Sequence, residues 1–259
     1  MNYIIGTFIF ILGTIIASFL GVIIYRVPNN MSIIKPNSFC PNCKHEIKWY
    51  DNIPIISYIV LKGKCRYCKN KIGISSFLLE LVGGILFLLA FLSYKSSFDL
   101  LFILPIISLL IVIAMIDLNH QIIYDWSWIL LLVFTIAYIL YKNLISKTIP
   151  WDNLIGALVG FVSFLLIKII AKLIAKKEAL GMGDVILMGV AGLLLNYKVW
   201  LFALMVGTLL GTIVEVLFII FKKRKRSEPV AFGPYLVVGI LTGLLFGEQI
   251  INWYLSMVI

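Results

Sequence analysis

The spacing of charge most constrains what this chain can fold into. Runs such as Tyr3–Tyr25, Leu100–Ile116 and Val199–Phe221 are nearly free of charged residues. Each approaches or exceeds the ~20 apolar residues that a helix needs to cross a bilayer. Eight apolar segments can be marked: Tyr3–Tyr25, Ser76–Tyr94, Leu100–Ile116, Ser127–Tyr141, Asn153–Ala175, Leu180–Leu195, Val199–Phe221 and Phe232–Trp253. The chain therefore reads as an all-α polytopic membrane protein of about eight transmembrane helices. Only 13% of its 259 residues are charged, against about 25% in a soluble domain. The first run is too long for the apolar core of a signal peptide and no basic stretch precedes it, so it is expected to stay as the first helix.

The basic residues give orientation. Nine Lys or Arg fall in the first loop, Arg26–Ser75. The next connection holds Lys95, the one around Asp117–Trp126 none, and the fourth Lys142 and Lys147. Lys172, Lys176 and Lys177 mark the fifth, Lys198 the sixth and the run Lys222–Arg226 the seventh. Basic loops thus alternate with basic-poor ones, apart from the neutral third. The positive-inside rule then puts both termini outside and the odd-numbered loops in the cytoplasm. Because these cations sit in loops, the net charge of +10 points to anionic lipid and not to nucleic acid. Three parts are expected: a first transmembrane helix (1–25), a small cytoplasmic loop domain (26–75) and a transmembrane core (76–259). Fifty residues with so little apolar content need a staple to hold a fold.

The staple is expected at Cys40, Cys43, Cys65 and Cys68, two CxxC pairs separated by 21 residues. Each pair can offer two ligands from one tight turn, which suits tetrahedral Zn²⁺. Structural disulfides are rare in the cytoplasm, and no thioredoxin-like pattern surrounds either pair. Four Cys ligands leave no open position, so the metal would be structural.

The second group is acidic. A carboxylate at membrane depth is costly and points to function. Asp117 ends the third segment, and Asp184 lies in Gly181-Met182-Gly183-Asp184 within the sixth. The run Val185–Leu195 is too short to span ~30 Å of hydrocarbon, so its helix must begin before Asp184 and sink that carboxylate below the interface. The third segment runs inward and the sixth outward, which brings the two acids to the same side although 67 positions separate them. Two carboxylates together in a low-dielectric site share a proton, and one can activate water while the other protonates a leaving group. Gly181 and Gly183 allow close helix approach. Asp125 precedes the fourth segment and is expected as an N-cap or dipole partner. Glu80 and Glu215 lie just inside the cytoplasmic ends of their segments and are expected to line the cavity or bond polar groups there. His120 has no partner His, so a catalytic metal is not expected.

At these residues the chain resembles the bacterial type IV prepilin peptidases, a family of aspartic peptidases serving pilus, secretion and competence machinery. Cys40-Pro-Asn-Cys43, Trp49–Ser57 and Lys64–Cys68 look like the family's zinc-binding region. Ile116–Asp125 looks like its first aspartate motif, Gly181–Asp184 matches its GxGD motif, and Phe232–Leu236 resembles its FGP motif. The resemblance implies Asp117 and Asp184 as the catalytic pair. It implies cleavage of the short basic leader of prepilin or pseudopilin precursors after a Gly, at the cytoplasmic face of the inner membrane. In many members S-adenosylmethionine then methylates the new N-terminus. Tyr124 stands where the family usually has Pro, and Ile186 where it often has Lys. Two other classes fit a polytopic chain with buried acids: a transporter with a proton-relay pair, and a non-catalytic zinc-bearing assembly protein.

Overall fold

The computed structural model describes residues 2–94, 97–175, 180–221 and 230–258. Lys95, Lys176, Lys177 and the basic run Lys222–Arg226, with Ser227 and Glu228, lie outside them. Eight α-helices are described, in the order α1 (Asn2–Arg26), α2 (Ile56–Val60), α3 (Ile74–Ser93), α4 (Ser97–His120), α5 (Asp125–Ser146), α6 (Trp151–Ala175), α7 (Met182–Ile220) and α8 (Gly233–Val258). A 3₁₀ turn at Trp49–Asn52 precedes α2. All but α2 are long and apolar enough to cross a membrane, which gives seven candidate spans. The chain is a multi-pass membrane protein.

Seven spans hold all eight apolar segments because α7 contains two of them. At 39 residues it would be about 58 Å long if straight, nearly twice the hydrocarbon thickness. It is not straight: Asn196 has φ 62° and ψ 167°, outside helical space. The indole N–H of Trp200 donates to the carbonyl of Met188 at 3.1 Å. Residues twelve apart on a continuous helix lie about 18 Å apart, so the chain doubles back at Asn196. The Asn196 side chain accepts from the N–H groups of Lys198 and Val199 at 3.1 and 3.2 Å and so caps the returning half. Residues 182–195 are only about 21 Å of helix.

The chain divides into two compact units, residues 1–100 and 101–259. In the first, α1 packs on α3 through small residues. A side chain on Gly83 would collide with the Ala17 methyl, and one on Gly13 would lie 2.8 Å from the Gly83 carbonyl. Backbones come this close only where there is nothing between them, which is how helices associate without a hydrophobic driving force. The loop between α1 and α3 is tied down by Arg26, the last residue of α1. Its buried guanidinium donates to the carbonyls of Ser32, Ile33 and Asn37.

In the second unit, α7 is the centre. Its first half meets α6, where Gly156 and Gly160 face the backbone carbonyls of Gly192 and Met188. Its second half meets α8, where Ala203, Gly207 and Gly211 face Gly239, Gly243 and the first turn of α8. Ile103, Ile106, Ile107 and Leu110 of α4 are fully buried, as are Leu187 and Met188 of α7 and Leu236 of α8.

Candidate functional site

The four cysteines come together within the first unit through a repeated local structure. In the first knuckle the N–H of Lys44 donates to the Cys40 carbonyl at 2.8 Å. In the second, Lys69 donates to Cys65 at 3.1 Å. Lys44 and Lys69 both adopt positive φ, 59° and 57°. A bridge closes each turn, Phe39 to Glu46 and Lys64 to Lys71. The turns point their sulfurs inward: Cys40 and Cys68 lie 3.8 Å apart and Cys43 and Cys65 4.0 Å apart, with all four Sγ atoms within 4.8 Å. A tetrahedron with metal–sulfur bonds of ~2.3 Å has edges of about 3.8 Å. A disulfide needs ~2.05 Å. The cluster therefore has the size of a metal cage, and its cysteines are free thiols.

The protons of the cage agree with its size. The backbone N–H of Asn70 and the neighbouring thiols bring Cys68 down to about 7. The N–H of Cys43 leads in lowering Cys40. Cys43 is pulled down by the N–H of His45 yet ends at about 11, raised by burial and the other three thiols. The last proton is the hardest to remove, and a dication among the sulfurs offsets that repulsion. One contact joins the two knuckles to each other, and another joins the second knuckle to the turn before α2. His45 and Tyr67 rings lie 3.6 Å apart. Arg66 donates from Nε and Nη2 to both oxygens of Asp51 at 2.7 and 2.6 Å, which holds the Asp51 carboxyl below its ordinary range.

Glu80 bonds the backbone of the loop domain. Its Oε2 accepts from the Ile55 N–H at 2.8 Å. Ile55 has φ 63°, and the Ile56 N–H donates to the Pro54 carbonyl at 2.6 Å, a tight turn that a β-branched residue rarely adopts. Glu80 also lines a cavity of about 320 Å³, with Arg26, Phe39, Tyr58 and Phe77 among its walls. Tyr58 and Phe77 stack at 5.0 Å.

The acids of the second unit converge at three helix ends. Asp117 lies one turn inside the end of α4, which continues to His120, four residues beyond the segment Leu100–Ile116 read from the sequence. It is 6% exposed. Its Oδ2 accepts from the N–H of Gly233, the first residue of α8, at 2.9 Å. A Cβ on Gly233 would stand 2.6 Å from that same oxygen. Asp184 is in the first turn of α7, where its Oδ2 accepts from the Gly181 N–H at 3.2 Å. Glycine has no side chain to answer, so only half of a capping box forms. Asp184 Oδ1 is buried and has no hydrogen-bond partner among the described residues. A Cβ on Gly183 would lie 2.8 Å from Ile123, so glycine lets the start of α7 close on the segment after α4. The Asp117 carboxylate and the ammonium of Lys168 in α6 are both near enough to act electrostatically on Asp184.

The other candidate acids have hydrogen-bond partners outside this pair. Asp125 is the first residue of α5 and exposed, with the Trp128 indole donating to it at 3.0 Å. The N-cap position is Tyr124, whose side chain makes no cap, so Asp125 is not the N-cap; it stands in the first turn, where a dipole partner would sit. Glu215 Oε1 accepts from the Tyr235 hydroxyl at 2.9 Å. His120 is exposed, and no metal cluster among the described residues includes it. Two participants were not singled out from the sequence. Lys168 lies deeper in the apolar run of α6 than Lys172, one turn further on, which was counted with the basic loop instead. Gly233 acts through its backbone N–H, although its FGP setting was a signal.

Comparison with known proteins agrees with this division of the chain. The bacterial peptidase A24 N-terminal domain matches residues 11–94, and the type IV leader peptidase family matches residues 104–216. Relatives named prepilin leader peptidase/N-methyltransferase include one from Myxococcus xanthus, 34% identical over 90% of this chain and 71% of its own length. One from Bacillus subtilis is 30% identical over 96% and 97%. One from Pseudomonas aeruginosa is 29% identical over 95% and 92%. No solved structure matches. Matched in order through both units, and related at this level along nearly all of its length, the chain belongs to the type IV leader peptidase family.

Proposed function

We propose that this chain is a membrane aspartic endopeptidase that cleaves the leader from prepilin-like precursors at the cytoplasmic face, with Asp117 and Asp184 as its catalytic pair. The observation that carries the reading is the meeting of these two acids, 67 positions apart in sequence, at the ends of α4 and α7. In this reading the two carboxylates share one proton between them. One carboxylate takes a proton from water as its oxygen attacks the scissile carbonyl. The other gives a proton to the departing amine as the C–N bond breaks. Asp184 Oδ1, which has no hydrogen-bond partner among the described residues, is the atom that would hold the water. Gly233 and Gly181 hold the other oxygens in place. Orientation follows from the basic loops, which put Arg26–Ser75 and the active site at the cytoplasmic side of the inner membrane. Pilus, secretion or competence machinery would receive the product.

Cys40, Cys43, Cys65 and Cys68 would hold one structural zinc, whose edge lengths their sulfurs match. The relatives' second named activity, N-methylation, implies S-adenosylmethionine, which supplies the methyl group. The cavity beside Glu80 lies at the lower end of the ~300–1,000 Å³ range of ligand pockets. A carboxylate and stacked rings suit a sulfonium cation. Glu80, Tyr58 and Phe77 are the residues that would hold it.

The test compares Asp117→Asn, Asp184→Asn and Asp125→Asn at equal amounts of inserted protein, on a purified prepilin with and without S-adenosylmethionine. The first two should abolish cleavage, because Asn keeps the shape but cannot trade the proton. Asp125→Asn should retain most activity. Wild-type cleavage by both Asp117→Asn and Asp184→Asn would sink the dyad. Mass spectrometry of the same products reads methylation separately: an unmodified amine in the presence of S-adenosylmethionine makes the chain a peptidase only.

A further inference from the structure

Glu215 is a carboxylate in the apolar second half of α7, with Thr212, Ile213 and Val214 before it and Val216–Phe221 after it. Such a group is costly at membrane depth and calls for a reason. Gly207, Gly211 and Glu215 are spaced by four and so share one face of the helix. That face receives Tyr235, in the first turn of α8. A Cβ on Gly207 would lie 2.8 Å from the Tyr235 carbonyl, and one on Gly211 3.1–3.3 Å from Tyr235 side-chain atoms. The two glycines thus form a slot for the tyrosine, and at its end the Tyr235 hydroxyl donates to Glu215 Oε1 at 2.9 Å. Two residues before Tyr235, the Gly233 N–H donates to Asp117 Oδ2 at 2.9 Å. One turn of helix is therefore gripped on one side by α7 and grips Asp117 on the other.

We propose that Glu215 is a positioning residue for the peptidase reaction. Through the Tyr235 hydroxyl it sets the first turn of α8, and with it the Gly233 N–H that orients the Asp117 carboxylate. The proposal rests on the reading of Asp117 as half of the catalytic pair. The glycine slot fixes the ring, so that the hydroxyl–Glu215 bond carries direction as well as energy. Glu215 itself does not touch the reacting atoms.

The experiment measures kcat and KM for prepilin cleavage with Tyr235→Phe, Glu215→Leu, their double variant, Glu215→Gln and, as reference, Asp117→Asn. Tyr235→Phe keeps the ring in its slot and removes only the hydroxyl. It should lower kcat roughly tenfold, the scale of one hydrogen bond, with KM unchanged. Glu215→Leu should do the same, and the double variant should lose no more than either single one, because the two act through one bond. Glu215→Gln, which still offers a carbonyl to the hydroxyl, should recover most of the rate. Wild-type kcat for Tyr235→Phe, additive losses in the double variant, or a change in KM alone would overturn the proposal. If Glu215→Leu fails to insert, Tyr235→Phe and Glu215→Gln decide it. An active Asp117→Asn enzyme would instead remove the catalytic reading on which the proposal stands. An inactive one with Tyr235→Phe unimpaired would sink the positioning role alone.

Discussion

Replacing Gly233 by Ala tests the site with a single methyl group. The added carbon would stand 2.6 Å from Asp117 Oδ2, 3.0 Å from its Cγ and 3.3 Å from its Cβ. The first distance is about 0.8 Å short of the 3.4 Å at which ordinary contact begins. Something must move, and the partner is a buried carboxylate that closes a hydrogen bond to the same residue. A misplacement of about 1 Å at a reacting group costs on the order of 10²-fold in rate. A hydrogen bond to a charged group contributes about 1.5–3 kcal/mol, or roughly 10- to 150-fold. The two routes give the same scale, so kcat should fall about 30- to 100-fold. The fold itself should hold, since Ala is a better helix former than Gly by up to ~1 kcal/mol. The assay is cleavage of a purified prepilin in detergent, normalised to folded protein by melting temperature and gel filtration. A kcat within twofold of wild type, in a protein that melts normally, would refute the claim that Gly233 and Asp117 work as one unit.

Two further outcomes follow from the other parts. Metal analysis should find one zinc per chain, and each single Cys→Ser change at positions 40, 43, 65 or 68 should raise hydrogen exchange across residues 38–71 more than it slows cleavage. Less than ~0.2 zinc per chain with reactive thiols would exclude a closed tetrahedral site. Ser32→Cys on a cysteine-free background should be shielded from an impermeant thiol reagent added to intact cells, and so should Ser227→Cys in the basic seventh loop. Labelling at either would reverse the orientation.

Much of this arrangement was legible in the sequence, for identifiable reasons. A bilayer imposes a length on each span, so counting spans was enough to carry Asp117 and Asp184 to one side of the membrane. The helix does begin before Asp184, but length was the wrong ground for expecting it: α7 starts at Met182, and residues 182–195 still give only about 21 Å before the break at Asn196. The cage was legible from spacing, since each CxxC turn carries its own geometry. The partners of Glu80 and Glu215 were not. Burial cost marks an acid as needing a partner, but the partner of Glu80 is a backbone N–H at Ile55, and that of Glu215 is a phenol twenty positions away. The reversal at Asn196 showed only as a gap between two apolar segments. Its cause, a side chain that caps the returning helix from a non-helical backbone, has no periodicity to betray it.

The two glycine motifs are the same device used twice. In Gly181-Met-Gly183-Asp184 and in Phe232-Gly233-Pro234 a glycine stands at a helix start, where backbone N–H groups lack a partner within the helix. In each case one such N–H donates to an aspartate oxygen, Gly181 to Asp184 and Gly233 to Asp117. In each case glycine also removes the carbon that would block approach, against Ile123 at Gly183 and against Asp117 itself at Gly233. Backbone donors suit this task in an apolar setting. They bring no side-chain charge of their own to be desolvated, and they are fixed by the helix they begin. Pro234 follows Gly233 without loss, since at the start of a helix its missing N–H is one the helix would leave unused. The acid pair is thus held by main chain at two helix starts, and its geometry depends on how α7 and α8 pack. That dependence is why the small residues of α7, which let α8 come close, belong to the site as much as the carboxylates do.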